Sequence, residues 1–558
     1  MIAAYGFVSQ CLPLYGLKTW VLAAFLPLIV QISKKRVGVH PPQEFQKRRL
    51  TFDSLAEIAP VVFESFSPGT TSLPHACLFL GHEHPLLQQL DVPCYVWEKK
   101  AASLGGVSAK VDFSTWRCLH TAIRGHRLVE STPRDIGFCS VRDRDTIVAT
   151  LGDQPVWTLR GLVHRVSVEP PCLNADELLY SHFSPERWLG LLPLLHFLRS
   201  VTSDIDWQAP PLKACIVFDD PNLHALTYGY LDFRRLVEDA KARRYHVSMA
   251  TVPLDAWYVN SEAARLFREN SQYISLTTHG GDHTKNELVN SNGNRLLRLV
   301  QALRRTEVLE RKTLLEVSRF MIAPHGACLE ATMDIMLKLG YEGSGIPTYS
   351  LLEWNPGKQW PADFGLGNVL WMGAGFPVVY RFGLVSNETK IRLSAFLGQP
   401  IVPYGHHWDC SSGLDLLGSI ADAVNNAGGC WGNMQSIMRS NYKTKANGDL
   451  LQIQMCSRRI QIHIPEDTTF VSVDRPWMME ADQEYLAYSS SDGRSASLLS
   501  GSSTDPIEVT PGSELILRAL PKEQLHYRTL TAPPPRIWPI VRRVLAEARD
   551  RVKPILGR

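Results

Sequence analysis

The stretch that most restricts how this chain can fold runs from residue 213 to about 440, where short apolar runs alternate with amphipathic helical patterns. The first run, Ala214-Cys215-Ile216-Val217-Phe218, has Pro210 and Pro211 just before it and Pro221 just after it. A compact apolar run between proline breaks reads as a buried parallel strand. A helical pattern at 231–243, a strand at 245–251, a helix at 261–270 and a strand at 273–278 follow. A long amphipathic helix over about 294–317 comes next, then a strand at 319–323, a helix at 328–339 and a strand at 341–346. Further strands are expected near 369–371, 377–380 and 399–403, with helices at 412–426 and 431–440 closing the unit. Such alternation predicts parallel strands joined by right-handed crossovers, hence an α/β sheet or barrel.

The 558 residues leave room for more than this unit, and two to four domains are expected for such a length. Residues 46–207 mix short strands (76–80, 94–97, 146–149, 162–166) with a helix at 185–200 that Pro193 should kink, which suggests an N-terminal α/β domain. Residues 441–532 alternate apolar and polar positions at 450–455, 459–464, 470–473 and 514–518, with a Ser/Gly/Asp-rich stretch at 489–504. That texture predicts a small antiparallel β domain with one wet face. Pro533-Pro534-Pro535 leads into a basic amphipathic tail helix at 537–552, within 533–558, whose charges are expected to form a solvated face, with membrane or partner contact as the second reading.

Residues 1–45 hold an apolar run at 19–32 followed by Lys34-Lys35-Arg36. The run is shorter than the roughly 20 residues a spanning helix needs, and its charges follow rather than precede it, unlike a signal peptide. It reads as a weak membrane-interface segment or an aberrant N-terminal one. Basic and acidic residues nearly balance, 58 against 55, which argues against a nucleic-acid partner. The 11 cysteines are scattered and form no C-x-x-C, as expected of reduced core residues. They favour a cytoplasmic or membrane-peripheral location.

Asp219 and Asp220 end the first strand of the alternating unit, where α/β sheets and barrels place their chemistry. Taken alone, Asp219 would cap a turn and Asp220 would be solvated. The strand at 273–278 ends at His279-Gly280-Gly281-Asp282-His283. The spacing of four puts two imidazoles one helical turn apart, although Gly280 and Gly281 favour a loop entering a short turn. A carboxylate with two histidines and open positions suits zinc or a similar ion. His82-Glu83-His84, between Gly81 and Pro85, reads as a loop rather than a ligand pair.

On these residues the chain resembles the polysaccharide deacetylase family (carbohydrate esterase family 4, NodB-like). Val217-Phe218-Asp219-Asp220 matches part of the family's Thr-Phe-Asp-Asp-Gly motif, and His279 to His283 matches its His-x3-His. The resemblance implies a NodB-like (β/α) barrel over 208–440, with Asp219 as general base. It also implies Asp220, His279 and His283 as ligands of a divalent metal, most simply Zn2+, and an acylated carbohydrate as substrate. The family's Arg-x-Pro-Tyr-Gly falls on Ile322-Ala323-Pro324-His325-Gly326, so Asp219 lacks the usual arginine and His325 replaces the aromatic residue. The main-chain N–H there would still bind an oxyanion. The family's late histidine acid corresponds to His406 or His407, with Asp409 placed to fix its tautomer. Trp257, Trp354, Trp360 and Trp408 are candidates for stacking on a glycan. Two other readings stand beside this one: a catalytically inactive barrel that binds carbohydrate, motivated by the missing arginine, and a different metal-dependent hydrolase on the same barrel.

Overall fold

Ile216, Val217 and Phe218 are wholly buried, and their strand, Ile216–Asp219, has a parallel partner on each side, Val247–Thr251 and Pro403–Gly405. The computed structural model describes residues 34–67, 72–98, 108–132, 136–290, 295–373, 375–384, 388–477, 484–491, 493, 495–499 and 502–556. The apolar run at 19–32 and Cys11 lie outside the described residues. The sheet that contains Ile216–Asp219 has nine strands. In spatial order they are Trp371–Gly373, Phe376–Tyr380, Gly343–Ile346, Val317–Ile322, Ile274–His279, Val247–Thr251, Ile216–Asp219, Pro403–Gly405 and Phe382–Gly383. All pairings are parallel except that of Trp371–Gly373 with Phe376–Tyr380. The parallel strands therefore open their C-terminal ends on one side, where Asp219, His279, Ile322, Tyr380 and Gly405 lie. No ladder joins the two edge strands among the described residues.

Local chemistry sets the element ends. Asp232 accepts hydrogen bonds from the N–H groups of Arg234 (2.9 Å) and Arg235 (3.3 Å), so the helix begins at Phe233 rather than 231. The long helix spans Arg295–Thr313 and stops where Leu314 turns left-handed (φ 56°), earlier than the expected 317. The strand expected at 399–403 lies at Pro403–Gly405, because Ile401 makes only an isolated bridge to Ala214. The helix expected at 185–200 spans Leu192–Thr202. Pro193 sits in its first turn, where a missing N–H costs nothing, and does not kink it.

Upstream lies a second nine-stranded sheet. Its parallel half orders Val61–Ser65, Lys35–His40, Ala76–Gly81, Cys94–Glu98 and Val163–Val166. The antiparallel half continues through Gln154–Arg160, Thr146–Leu151, Ala109–Phe113 and Arg127–Glu130. One core cluster runs through both large sheets, from Val37 and Leu78 through Leu194 and Phe197 to Ile216, Phe218 and Val424.

Downstream, two four-stranded sheets enclose a separate core that includes Leu451, Ile453, Ile460, Ile462, Val471 and Leu517. The period-two alternation is visible in the strand Leu450–Met455, where every second residue is buried. This region is not purely antiparallel: Leu450–Met455 pairs parallel with Phe470–Asp474. The last element is the helix Ile537–Leu556.

Candidate active site

The chain ends of the parallel strands converge on a cleft of about 640 Å³. Asp219 and Asp220, His279 and His283, His325, Arg381 and His406 all line it, each delivered just after or at the tip of a different strand or its loop. Three of these residues hold left-handed backbone without being glycine: Asp220 (φ 83°), His283 (φ 52°) and His325 (φ 56°). Such conformations cost energy and persist only where surrounding contacts enforce them.

Asp219 is buried and paired in a bidentate fork with Arg381, at 2.9 Å from Nη1 and 2.6 Å from Nη2. Burial would raise its pKa, but the Arg381 guanidinium and His279 outweigh that and hold the carboxyl below its usual range. The sequence left Asp219 without an orienting arginine, because Ile322 occupies the position of the family's. That expectation is corrected here: the arginine arrives from the end of the strand Phe376–Tyr380 instead. Its guanidinium lies 3.9 Å from the Tyr404 ring centroid, a flat stack that fixes the fork.

Asp220, His279 and His283 form a second cluster, with one ligand atom from each lying within 4.8 Å of the others. His279 Nδ1 is 3.0 Å from the Ile322 carbonyl. A carbonyl can only accept, so Nδ1 carries the proton and the Nε2 lone pair is left for a ligand. Burial holds His283 down at about 3 and lowers His279 as well, so both rings are neutral, the form that binds metal. Asp220 is ionised, because His283 and Arg543 outweigh its burial. The donor set therefore fits a divalent metal ion.

The loop carrying the histidines is tied by Glu287, which the sequence reading missed. Its carboxylate accepts from the N–H groups of Gly281 (3.0 Å), Asp282 (3.0 Å) and His283 (3.2 Å). A Cβ at Gly280 would lie 1.9 Å from Glu287 Oε1, and the residue has φ 63°, so only glycine fits there. Burial, then Asp282, push the Glu287 pKa up to about 8.

His406 and His407 part company. His406 lines the cleft and stacks on Trp408 at 4.2 Å between ring centroids. His407 is buried between Tyr228 and Tyr230, with Nε2 3.6 Å from Asp550. Asp409 accepts from the main-chain N–H of His406 at 2.7 Å, so it shapes the turn rather than orienting a ring. His325 is exposed at the cleft, with its ring 4.9 Å from that of His283. The N–H groups of Gly326 and Ala327 are engaged by the carbonyls of Ala323 and Pro324. Among the tryptophans, Trp408 lines the cleft, Trp257 is exposed beside His224, and Trp360 packs on Phe364 and Trp371 in a separate core. Trp354 is half-buried at the end of the helix Thr348–Trp354, and it does not line the cleft.

One wall of the cleft comes from the C-terminal helix, through Arg542, Arg543, Leu545, Ala546, Arg549 and Asp550. Arg543 Nη1 lies 3.2 Å from Asp220 Oδ1, its Nε lies 2.8 Å from Asp255, and a further N–H donates to the Asp220 carbonyl. Glu547 pairs with His224 at 2.9 Å. The expectation of a solvated charged face holds only in part: Arg549 and Lys553 are exposed, whereas Arg543, Glu547 and Asp550 face the sheet ends and pair with Asp220, His224 and Tyr228.

No family model and no curated protein matches the chain. Several solved structures are similar to part of it. One is a family 4 carbohydrate esterase from Streptomyces lividans in complex with acetate, at 13% identity, covering 42% of this chain and 97% of that one, with a TM-score of 0.26. Another is the Xyl-CE4 domain of a multidomain xylanase from the hindgut metagenome of Trinervitermes trinervoides, at 10% identity over 41% of this chain and 90% of that one, with a TM-score of 0.26. A third is a CE4 esterase from Streptococcus mutans, at 13% identity over 40% of this chain and 85% of that one, with a TM-score of 0.24.

Proposed function

We propose that the chain is a metal-dependent hydrolase of the polysaccharide deacetylase type, removing N- or O-acyl groups from a carbohydrate. The reading places a NodB-like catalytic barrel at 208–440, between an N-terminal α/β domain and a β-rich domain. The observation that carries it is the pairing of two carboxylates with different partners. Asp219 is locked by Arg381, and Asp220 stands with two neutral histidines.

In this reading Asp220, His279 and His283 hold a divalent ion, Zn2+ by donor chemistry. Such an ion supplies acidified water and a polarised acyl oxygen. Asp219, ionised and held in a fixed orientation, accepts the proton of the attacking water. The main-chain N–H of His325 is the candidate donor to the developing oxyanion, since those of Gly326 and Ala327 are engaged. His406 returns a proton to the leaving amine or alcohol, and His407, turned towards Asp550, supports the fold. Trp408 and Tyr349, both exposed beside the cleft, offer flat faces to a sugar ring. The ion pair at Asp219 supports this reading over an inactive barrel, whose motive was a missing arginine.

The test is acetate release from acetylated amino-sugar oligomers by wild type, Asp219→Asn and His406→Ala, with metal content measured alongside. The reading expects metal retention with activity reduced at least about 100-fold in Asp219→Asn, the scale of a general acid or base. Unchanged turnover in Asp219→Asn would remove Asp219 as the base.

A further inference from the structure

The helix Ile537–Leu556 is amphipathic with its faces reversed relative to a normal surface helix. Its polar residues Arg543, Glu547 and Asp550 point into the protein, with side chains 7%, 13% and 3% exposed. Its large apolar residues point out: Ile537, Trp538, Val541, Val544, Leu545 and Ile555 are all exposed, from 41% at Val541 to 79% at Ile537. Spacing by three and four residues from Ile537 to Leu545, continued by Val552 and Ile555, puts them on one stripe along the helix, which at 20 residues is about 30 Å long. Contiguous apolar surface of this kind marks an interaction site.

The charges around the stripe say what covers it. The helix has two acidic residues, Glu547 and Asp550, and both are turned inward. Arg549, 59% exposed although bonded to Asp550, and Lys553 remain on the exposed side, and Arg536, paired with Asp282 at 3.2 Å, precedes the helix. The outer face is therefore apolar and cationic, with no acidic group. A second copy docking symmetrically would bring like charges together along the seam. An anionic lipid surface complements both features, with acyl chains for the stripe and headgroups for the cations. Trp538 has the amphipathic ring favoured at such an interface. No helix among the described residues is long and apolar enough to cross a membrane, so this one would lie in the interface plane.

We propose that the C-terminal helix seats the protein on an anionic membrane surface through the face carrying Trp538, Val541, Val544 and Leu545, flanked by Arg549 and Lys553. Leu545 and Ala546 also line the cleft, so this contact would set its mouth at the lipid surface. The proposal does not depend on the hydrolase reading.

The test is co-sedimentation of the 558-residue chain with phosphatidylcholine vesicles, with and without phosphatidylglycerol. The expected result is binding to the phosphatidylglycerol vesicles that weakens with added salt. Trp538→Ser with Leu545→Ser, and separately Arg549→Ser with Lys553→Ser, should each weaken binding at least about tenfold. Unchanged thermal melts would show that these exposed substitutions leave the fold intact. Absence of vesicle binding would overturn the proposal. So would binding undiminished in both double variants, which would assign it to other residues such as the apolar run at 19–32. A dimer by sedimentation equilibrium that Trp538→Ser with Leu545→Ser dissociates would also overturn it in favour of a second copy.

Discussion

In the upstream sheet, the strand Lys35–His40 ends in His40, and His82 and His84 follow the strand Ala76–Gly81. Their rings meet at 5.9 Å (His40–His82) and 5.0 Å (His40–His84). The downstream sheet also ends parallel strands in histidines, with His279 and His283 at 4.8 Å. The neighbouring carboxylate decides between them. Glu83 is gripped by Arg142 and Arg165, and the Arg142 bond in particular holds its carboxyl down at about 2 despite partial burial. Downstream, the bidentate arginine fork goes to Asp219, and Asp220, met at Oδ1 by Arg543 at 3.2 Å, also faces the imidazoles. Among the described residues, only Asp220, His279 and His283 bring three potential ligand atoms together. Histidines at strand ends are common to both sheets; adjacent carboxylates with separate partners are found in one.

The largest contrast should appear when each arginine is removed. Arg381→Met strands a buried carboxylate and should cost about 3–5 kcal/mol in urea unfolding. Arg142→Met, with a side chain 38% exposed, should cost no more than about 1 kcal/mol. Equal costs would erase the distinction drawn between the two sheets. A smaller effect should follow from loosening the histidine loop. Glu287→Gln should weaken zinc affinity about 10–100-fold in a chelator competition, the range for groups that orient ligands, while Glu83→Gln leaves it unchanged.

The smallest effect concerns the wall of the cleft and its dependence on pH. Glu547 is depressed to about 2: burial opposes this, but the bonds from His224 and Arg551 prevail. Its stabilisation is complete above the ordinary 4.5 and lost as pH falls through 2. His224 is raised above 6.5, since the bonds to Glu547 and the Asp255 carbonyl outweigh burial, so its contribution is complete below 6.5 and lost as pH rises through the folded value. Helix docking should thus be firmest between 4.5 and 6.5. Hydrogen exchange in residues 537–556 should be slowest in that window after correction for intrinsic rates. Glu547→Gln should remove the optimum.

The strand tips were legible in the sequence because a buried parallel strand is written locally, in one apolar run closed by turn residues. Asp219, Asp220, His279 and His283 fall on such tips, and the structure brings them together. Arg381 was not legible, since it reaches Asp219 across 162 positions and no local pattern distinguishes it from any other arginine. Glu287 carried a signal that went unused, a carboxylate four residues after His283 in a loop whose N–H groups need acceptors. The tail helix was read as amphipathic with its charges solvated, which holds for Arg549 and Lys553 but not for the buried Arg543 and Asp550. Periodicity shows that two faces differ; which face docks depends on the partner surface, here a polar strand-end rim.

Zinc titration of the metal-stripped 558-residue chain by calorimetry is the sharpest test of the site formed by Asp220, His279 and His283. The account predicts one zinc per chain, lost in Asp220→Ala and in His279→Ala and retained in His82→Ala. Stoichiometric zinc persisting in both of the first two variants, or disappearing in His82→Ala, would contradict it.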